Sequence, residues 1–311
     1  MNRRKIALIG AGNIGGELAV IAAGGELGDI VIVDIPEKEG VAKGKALDIM
    51  QATAIMGCDV AIEGTADYSR IDHADVCIVT AGVPRKPGMN REDLLSINLK
   101  IIRSVAANIK KYAPESFVIV LSNPLDAMVH EMRKVTEFSP NRVVGMAGIL
   151  DSARMRHFIA RAYGCGVQEV KALVLGGHGD SMVPVLRYCS INGVPVTQLL
   201  DPKTLEAIVE RTRFGGGEIV NLMGTSAYFA PASSAIEMAK SYLMDRKRLL
   251  PCTAYLNGEY GFSDIYLGVP VILGGSGVEK IVEIELSQEE RKLLEKSARG
   301  VQELIEASKK L

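Results

Sequence analysis

The 311-residue sequence has no tryptophan and only 5% aromatic residues, which leaves no stacking platform for nucleic-acid bases. Its 36 Lys and Arg nearly balance 37 Asp and Glu, for a formal net charge of −1. No global field is therefore available to draw nucleic acid or an anionic membrane surface, and any anion must be held locally. The apolar stretches, such as residues 117–121, are short and interrupted, and Arg3, Arg4 and Lys5 run straight into a strand-like segment. Neither a membrane span nor a secretory signal is read from such a pattern. Five cysteines, at 58, 77, 165, 189 and 252, are odd in number and widely spaced, with no C-x-x-C pair. They form neither a disulfide framework nor a zinc site, no metal is expected, and the expectation is reduced thiols in a cytoplasmic protein.

What is present is the composition of a globular protein, 48% hydrophobic and 23% charged, long enough for two domains that each bury a core. The first half alternates short β-rich runs (residues 5–9, 30–34, 59–63, 76–80 and 117–121) with helical patterns from about residue 14, over 43–56 and over 92–111. That alternation builds a parallel sheet covered by helices. In the second half the texture changes. A helix is expected from about residue 151, a strand over 170–175, a β-rich stretch over 183–196, helices over 202–213 and 230–242, and an amphipathic helix from residue 288. The change of pattern places a domain boundary near residue 145.

Directly after the first strand stand Gly10, Ala11, Gly12, Asn13, Ile14 and Gly15, a G-x-G-x-x-G at a strand-to-helix turn. The first glycine suits a tight turn, the second lets backbone approach a pyrophosphate, and the third allows the helix to pack on the sheet. The helix N-terminus then offers free N–H groups to phosphates. Asp34 ends the second strand 19 residues beyond Gly15, placed to accept hydrogen bonds from the adenosine ribose. A 2′-phosphate would meet like charge there, so NAD is favoured over NADP. The expected class is α/β: a Rossmann-type doubly wound parallel sheet binding NAD over residues 1–145, followed by an α+β substrate domain over residues 146–311.

Four further motifs carry chemistry. His178 lies in Gly176-Gly177-His178-Gly179-Asp180 at the end of a strand, where an imidazole with an ordinary pKa of about 6.5 can exchange a proton near neutrality. Asp151 and Arg154 are three residues apart on a helical segment and project from nearly one face. The carboxylate can orient His178 and raise its pKa, and the guanidinium can grip a substrate carboxylate in bidentate fashion. Residues 83–91, with two prolines, a glycine and the cations Arg85, Lys86 and Arg91, read as a mobile lid. Asn123 follows a strand end at Leu121 and Ser122, where it can donate a hydrogen bond from the cleft wall or merely mark an Asn-Pro turn.

Taken in order, G-A-G-N-I-G at 10–15, R-K-P-G-M-N-R at 85–91, S-N-P-L-D at 122–126, L-D-S-A-R at 150–154 and G-G-H-G-D-S-M-V-P at 176–184 resemble the lactate/malate dehydrogenase family. The resemblance runs from Lys5 to the C-terminal helix. It implies that Asp151 and His178 form the acid–base pair, that Arg154 binds the carboxylate beside the reacting carbon, and that Arg91 polarises the carbonyl when the loop closes. It further implies that Asn123 contacts the substrate oxygen, that Asn98 and Leu121, Ser122 and Asn123 line the nicotinamide side, and that the Asn123–Pro124 bond is cis. Malate enzymes of the family resemble this chain in carrying a cation at Arg85, which serves the distal carboxylate, where lactate enzymes carry a neutral residue. Leaving that cation unpaired over pyruvate in a closed site costs about 2 to 5 kcal/mol. Ala227, approximately where lactate enzymes tend to carry Thr, and the segment Gly215-Gly216-Gly217-Glu218 also resemble the lactate-dehydrogenase-like malate branch. The implied activity is reversible NAD-dependent oxidation of (S)-malate to oxaloacetate, with a lactate or broad 2-hydroxy-acid dehydrogenase, or a non-catalytic NADH-binding protein, as alternatives. The resemblance implies a small-molecule substrate, no nucleic-acid or membrane partner, and a homotetramer, with dimers also found in the family.

Overall fold

The computed structural model describes residues 3–84 and, from the backbone of Arg91 onward, residues 91–311. In chain order the first half comprises β1 (Lys5–Ile9), α1 (Asn13–Gly24), β2 (Asp29–Val33), α2 (Glu39–Met56), β3 (Ile62–Thr65), β4 (Val76–Val79), α3 (Arg91–Tyr112), β5 (Phe117–Val120), α4 (Leu125–Thr136) and β6 (Val143–Gly145). These strands are parallel and lie in the order β3-β2-β1-β4-β5-β6, the doubly wound arrangement expected from the alternation. Helices cover both faces, so the strands need apolar side chains on both. Ile6 and Leu8 pack with Ile30, Ile32, Ile78 and Ile119 on one side, while Ala7 and Ile9 pack with Val31, Val33, Val79 and Val118 on the other.

The second half adds α5 (Gly148–Tyr163), the two-residue strands β7 (Val170–Lys171), β8 (Val174–Leu175), β9 (Val183–Pro184), β10 (Ser190–Ile191) and β11 (Val194–Pro195), then α6 (Val196–Leu199), α7 (Pro202–Met223), α8 (Phe229–Leu243), β12 (Arg248–Asn257), β13 (Ser263–Gly274), β14 (Gly277–Ile281) and α9 (Gln288–Lys309). The segment read as one strand over 170–175 is two. β7 pairs with β10 and β8 with β9, in separate small sheets.

The long hairpin of β12 and β13 did not emerge from the sequence pattern. Each strand carries a proline, which argues against a paired strand, yet Pro251 and Pro270 fall directly opposite each other in the register. β12 also pairs antiparallel with β6 at Thr253 and Gly145, so the large sheet continues past residue 145. The loop that carries His178 leaves β8 and is fastened to this hairpin, the Gly176 N–H donating to the Gly268 carbonyl at 2.8 Å.

Helix α7 runs ten residues beyond the expected end at Arg213, through three consecutive glycines. Asp201 caps it by accepting the Thr204 N–H at 3.0 Å, Pro202 occupies the first turn, and Gly224 ends it in the left-handed region. Its buried face, Leu205, Ile208, Thr212 and Gly215, ends at the first of these glycines, and the last two turns are partly or fully exposed.

Candidate active site

The glycine turn connects β1 to α1 as the spacing requires. Gly10 has φ +118°, outside the range of ordinary residues, and a Cβ on Gly15 would overlap the Gly10 carbonyl oxygen. A Cβ on Gly12, by contrast, would meet nothing within 4 Å, so this stretch of backbone faces open space where a pyrophosphate can approach. Asp34 braces the turn, its Oδ2 accepting the Ala11 N–H at 2.7 Å and its Oδ1 the Ile35 N–H at 2.8 Å. Each oxygen keeps accepting capacity for a ribose hydroxyl. Asn13 and Ile14 open the helix, and Ile14 also lines the central cleft. Lys45 of α2, which no motif singled out, donates to the Gly12 carbonyl at 2.6 Å and sets a cation against the turn. These features fit a dinucleotide.

The cleft, of about 660 Å³, lies between the two halves of the chain. The end of β5 supplies Leu121 and Asn123, α5 supplies Leu150 and Arg154, the loop after β8 supplies His178, Gly179 and Asp180, and α7 supplies Arg213, Gly216 and Gly217. Asn123 is exposed to it and precedes a cis bond to Pro124. Ser122 is buried and donates to the Ala81 carbonyl at 2.6 Å, tying the ends of β4 and β5 together. Asn98 stands behind this wall. It donates to the carbonyls of Val83 at 3.2 Å and Asn123 at 2.7 Å and accepts the Val83 N–H at 2.9 Å, so its amide holds the backbone of both loops.

At the centre, His178 Nδ1 lies 2.9 Å from Asp151 Oδ2, and Arg154 donates to Asp151 Oδ1 at 3.2 Å. The Asp151 carboxylate is 2% exposed, whereas the His178 side chain retains 17%. Burial opposes charging of the imidazole, but the charge of Asp151, its hydrogen bond and the nearby Asp126 outweigh both burial and Arg154. The net effect holds the His178 pKa above the ordinary histidine value. With Nδ1 committed to Asp151, Nε2 is the nitrogen free for proton exchange. The Arg154 side chain packs against Gly215 and Gly216 of α7, its guanidinium 3.6 Å from where a Cβ on Gly216 would stand.

Two features of the cleft lay outside the sequence reading. The Nε atoms of Arg154 and Arg213 are both buried without a hydrogen-bond partner among the described residues. Arg213 stands at the expected end of a helix and was not itself singled out, and only the tertiary fold turns it toward the cleft. Asp126, in the first turn of α4, accepts the backbone N–H of His178 at 3.1 Å and is 4% exposed. Arg85 lies outside the described residues, as does the side chain of Arg91, so the loop read as a lid has no geometry to add. Ser226 and Ala227 both line the cleft. Among the described residues no cluster of His, Cys, Asp and Glu is suited to a metal ion.

A dinucleotide-dependent oxidoreductase is the class such a fold and cleft define: one wall receives the cofactor, and the other sets an acid–base group beside an anion-binding cation. The chain belongs to the lactate/malate dehydrogenase family, residues 4–145 matching its NAD binding domain and residues 149–311 its alpha/beta C-terminal domain. It is 59% identical over 308 residues to malate dehydrogenase of Sorangium cellulosum, covering 99% of this chain and 98% of that protein. Its structure matches that of Cryptosporidium parvum malate dehydrogenase with TM-score 0.96 at 43% identity, covering 99% of this chain and 100% of the other. The lactate dehydrogenase of the same organism, solved with lactic acid and nicotinamide adenine dinucleotide, matches with TM-score 0.96 at 43% identity over 100% and 99% of the two chains. NAD is the cofactor of this family.

Proposed function

We propose that this chain catalyses the reversible NAD-dependent oxidation of (S)-malate to oxaloacetate. The observation that carries the reading is the cleft itself, where the His178–Asp151 pair stands beside two guanidinium groups, Arg154 and Arg213, that line the same wall. A guanidinium pairs with a carboxylate, and malate has two where lactate has one. The similarity to the Sorangium malate dehydrogenase supports the same substrate.

In this reading residues 1–145 hold the cofactor and residues 146–311 the substrate. Gly10, Ala11, Gly12, Asn13, Ile14 and Gly15 receive the pyrophosphate, Asp34 the ribose, and Leu121 and Asn123 form the nicotinamide wall, which Asn98 and Ser122 hold from behind. When bound, NAD supplies the hydride acceptor or donor. Asp151 accepts the Nδ1–H of His178, leaving Nε2 to take the malate hydroxyl proton in oxidation or return it to the oxaloacetate oxygen in reduction. Arg154 grips the carboxylate beside the reacting carbon, and Arg213 attracts the distal one from the α7 wall. Arg85 and Arg91, on the loop outside the described residues, complete the distal clamp and polarise the carbonyl, and Asn123 contacts the substrate oxygen.

The chain self-associates, as a homotetramer or, alternatively, a dimer. Supporting this, α2 exposes Leu47 and Ile55 and α7 exposes Phe214 and Leu222, large apolar side chains that a second copy would cover. The compartment is the cytoplasm. All five cysteines are free, and burial pushes the thiols of Cys77 and Cys252 up to about 12, which suits thiols kept reduced. Among the described residues no helix is long and apolar enough to cross a membrane.

The test of the acid–base assignment is His178→Asn. Turnover of oxaloacetate falls by about 10²- to 10⁴-fold while NADH binding, followed by fluorescence, stays intact. Near-normal turnover in that variant contradicts the reading.

A further inference from the structure

We propose that Asp126 is a second carboxylate partner of His178, a positioning residue that holds the histidine loop by its backbone and supplies charge that favours the imidazolium form. The proposal rests on the reading of His178 as the acid–base group. Asp126 sits 52 residues before His178, yet its Oδ2 accepts the His178 backbone N–H at 3.1 Å while its Oδ1 accepts the Thr253 hydroxyl of β12 at 3.0 Å. The loop passes close to it, since a Cβ on Gly177 would stand 3.2 Å from Asp126 Oδ2. The preceding amide is held in the same way from another element: the Gly177 N–H donates to Ser297 Oγ of α9 at 2.9 Å. Two successive amides of the histidine loop are thus fixed by side chains of α4 and α9.

The two anchors differ in charge, and that difference carries the argument. Ser297 fixes its amide with a neutral hydroxyl. An asparagine in place of Asp126 would accept the His178 N–H equally well, with its NH₂ directed at the Thr253 hydroxyl oxygen. A buried carboxylate instead carries a desolvation cost, which pushes the Asp126 pKa up to about 6 despite the Thr253 hydrogen bond and the nearby His178. The ionised form of Asp126 favours the imidazolium of His178. Among the described residues, the charged groups acting on His178 are Asp151 and Arg154 of α5 together with Asp126, while the Asp126 neighbour on β12, Thr253, and the second loop anchor on α9, Ser297, are neutral. Asp151 therefore holds the ring and Asp126 the backbone, and both bias the proton in one direction.

The test uses the full chain bearing Asp126→Asn. The imidazole of His178, one of four histidines beside His73, His130 and His157, is titrated by NMR in the unsubstituted chain and in the variant. His178 titrates at lower pH in the variant. The alkaline limb of kcat/KM for oxaloacetate reduction moves the same way, a loss of about tenfold where the unsubstituted enzyme is still on its plateau. Malate oxidation, which needs the neutral ring, is retained at low pH. Ser297→Ala frees the neighbouring amide without changing charge, so it lowers the rate without moving either titration. Should Asp126→Asn fail to fold, Thr253→Val keeps both carboxylates but removes the hydroxyl that steadies the Asp126 charge, and it moves His178 in the same direction by a smaller step. An unmoved His178 titration, or a rate loss equal at every pH, overturns the proposal. If instead the substrate reading fails, oxaloacetate is not turned over by the unsubstituted chain, and the NMR titration still decides the role of Asp126.

Discussion

His178, Asp151 and Arg154 show how much of a site can be read from residue types and spacing, and Asp126 and Arg213 show where such reading stops. An i, i+3 pair on a helix and a histidine in a glycine-rich turn are local patterns, and their meeting at 2.9 Å follows once α5 and the β8 loop lie against each other. Asp126 is different, because its role depends on the approach of a loop from the other half of the chain. In the sequence it is only the last letter of a turn motif. Its burial also has a consequence for stability. A rise from 3.8 to about 6 means that the folded state disfavours the carboxylate by about 3 kcal/mol. That cost fades as pH falls below 3.8, where the carboxyl becomes protonated both folded and unfolded. It grows as pH rises from about 4 to 6 and is complete above. Asp126→Asn therefore melts higher than the unsubstituted chain at pH 8 and loses that advantage at pH 4, as followed by thermal denaturation. A variant that is equally destabilised at both values contradicts the assignment.

At the level of elements, the first half was legible because short continuous apolar runs and glycine punctuation are local. β1 and the strand cores of β2, β4 and β5 fall within a residue of their expected places. The second half was less so. The β12–β13 hairpin hides behind prolines that meet in register, and α7 continues through three glycines. In the first half, α4 escaped, because it follows a turn signature that drew attention away from the helix beyond it. The exposed faces of α2 and α7 make a prediction at this scale. Ile55 is 92% and Leu222 79% exposed, costly for large apolar side chains unless a second copy covers them. Sedimentation of the chain gives a mass above the monomer, and Ile55→Lys combined with Leu222→Lys shifts it toward the monomer with the fold retained by circular dichroism. A chain that sediments as a monomer without substitution contradicts the assembly.

For the whole molecule, the parallel sheet and the antiparallel hairpin are one continuous nine-stranded sheet, and the cleft opens where the connections of the two halves converge. The glycine turn and Asp34 come from one half. The His178 loop, Arg154 and Arg213 come from the other, so neither half alone contains the chemistry. The near-zero net charge leaves the selection of a dianionic substrate to these local cations. The central claim is tested most directly by the loss of NADH absorbance with oxaloacetate and with pyruvate at equal concentration, NADPH serving as control. Rapid consumption of NADH with oxaloacetate, at least thirty-fold slower turnover of pyruvate (about 2 kcal/mol or more of discrimination), and weak use of NADPH are the predicted result. Pyruvate turnover equal to or faster than that of oxaloacetate would contradict it.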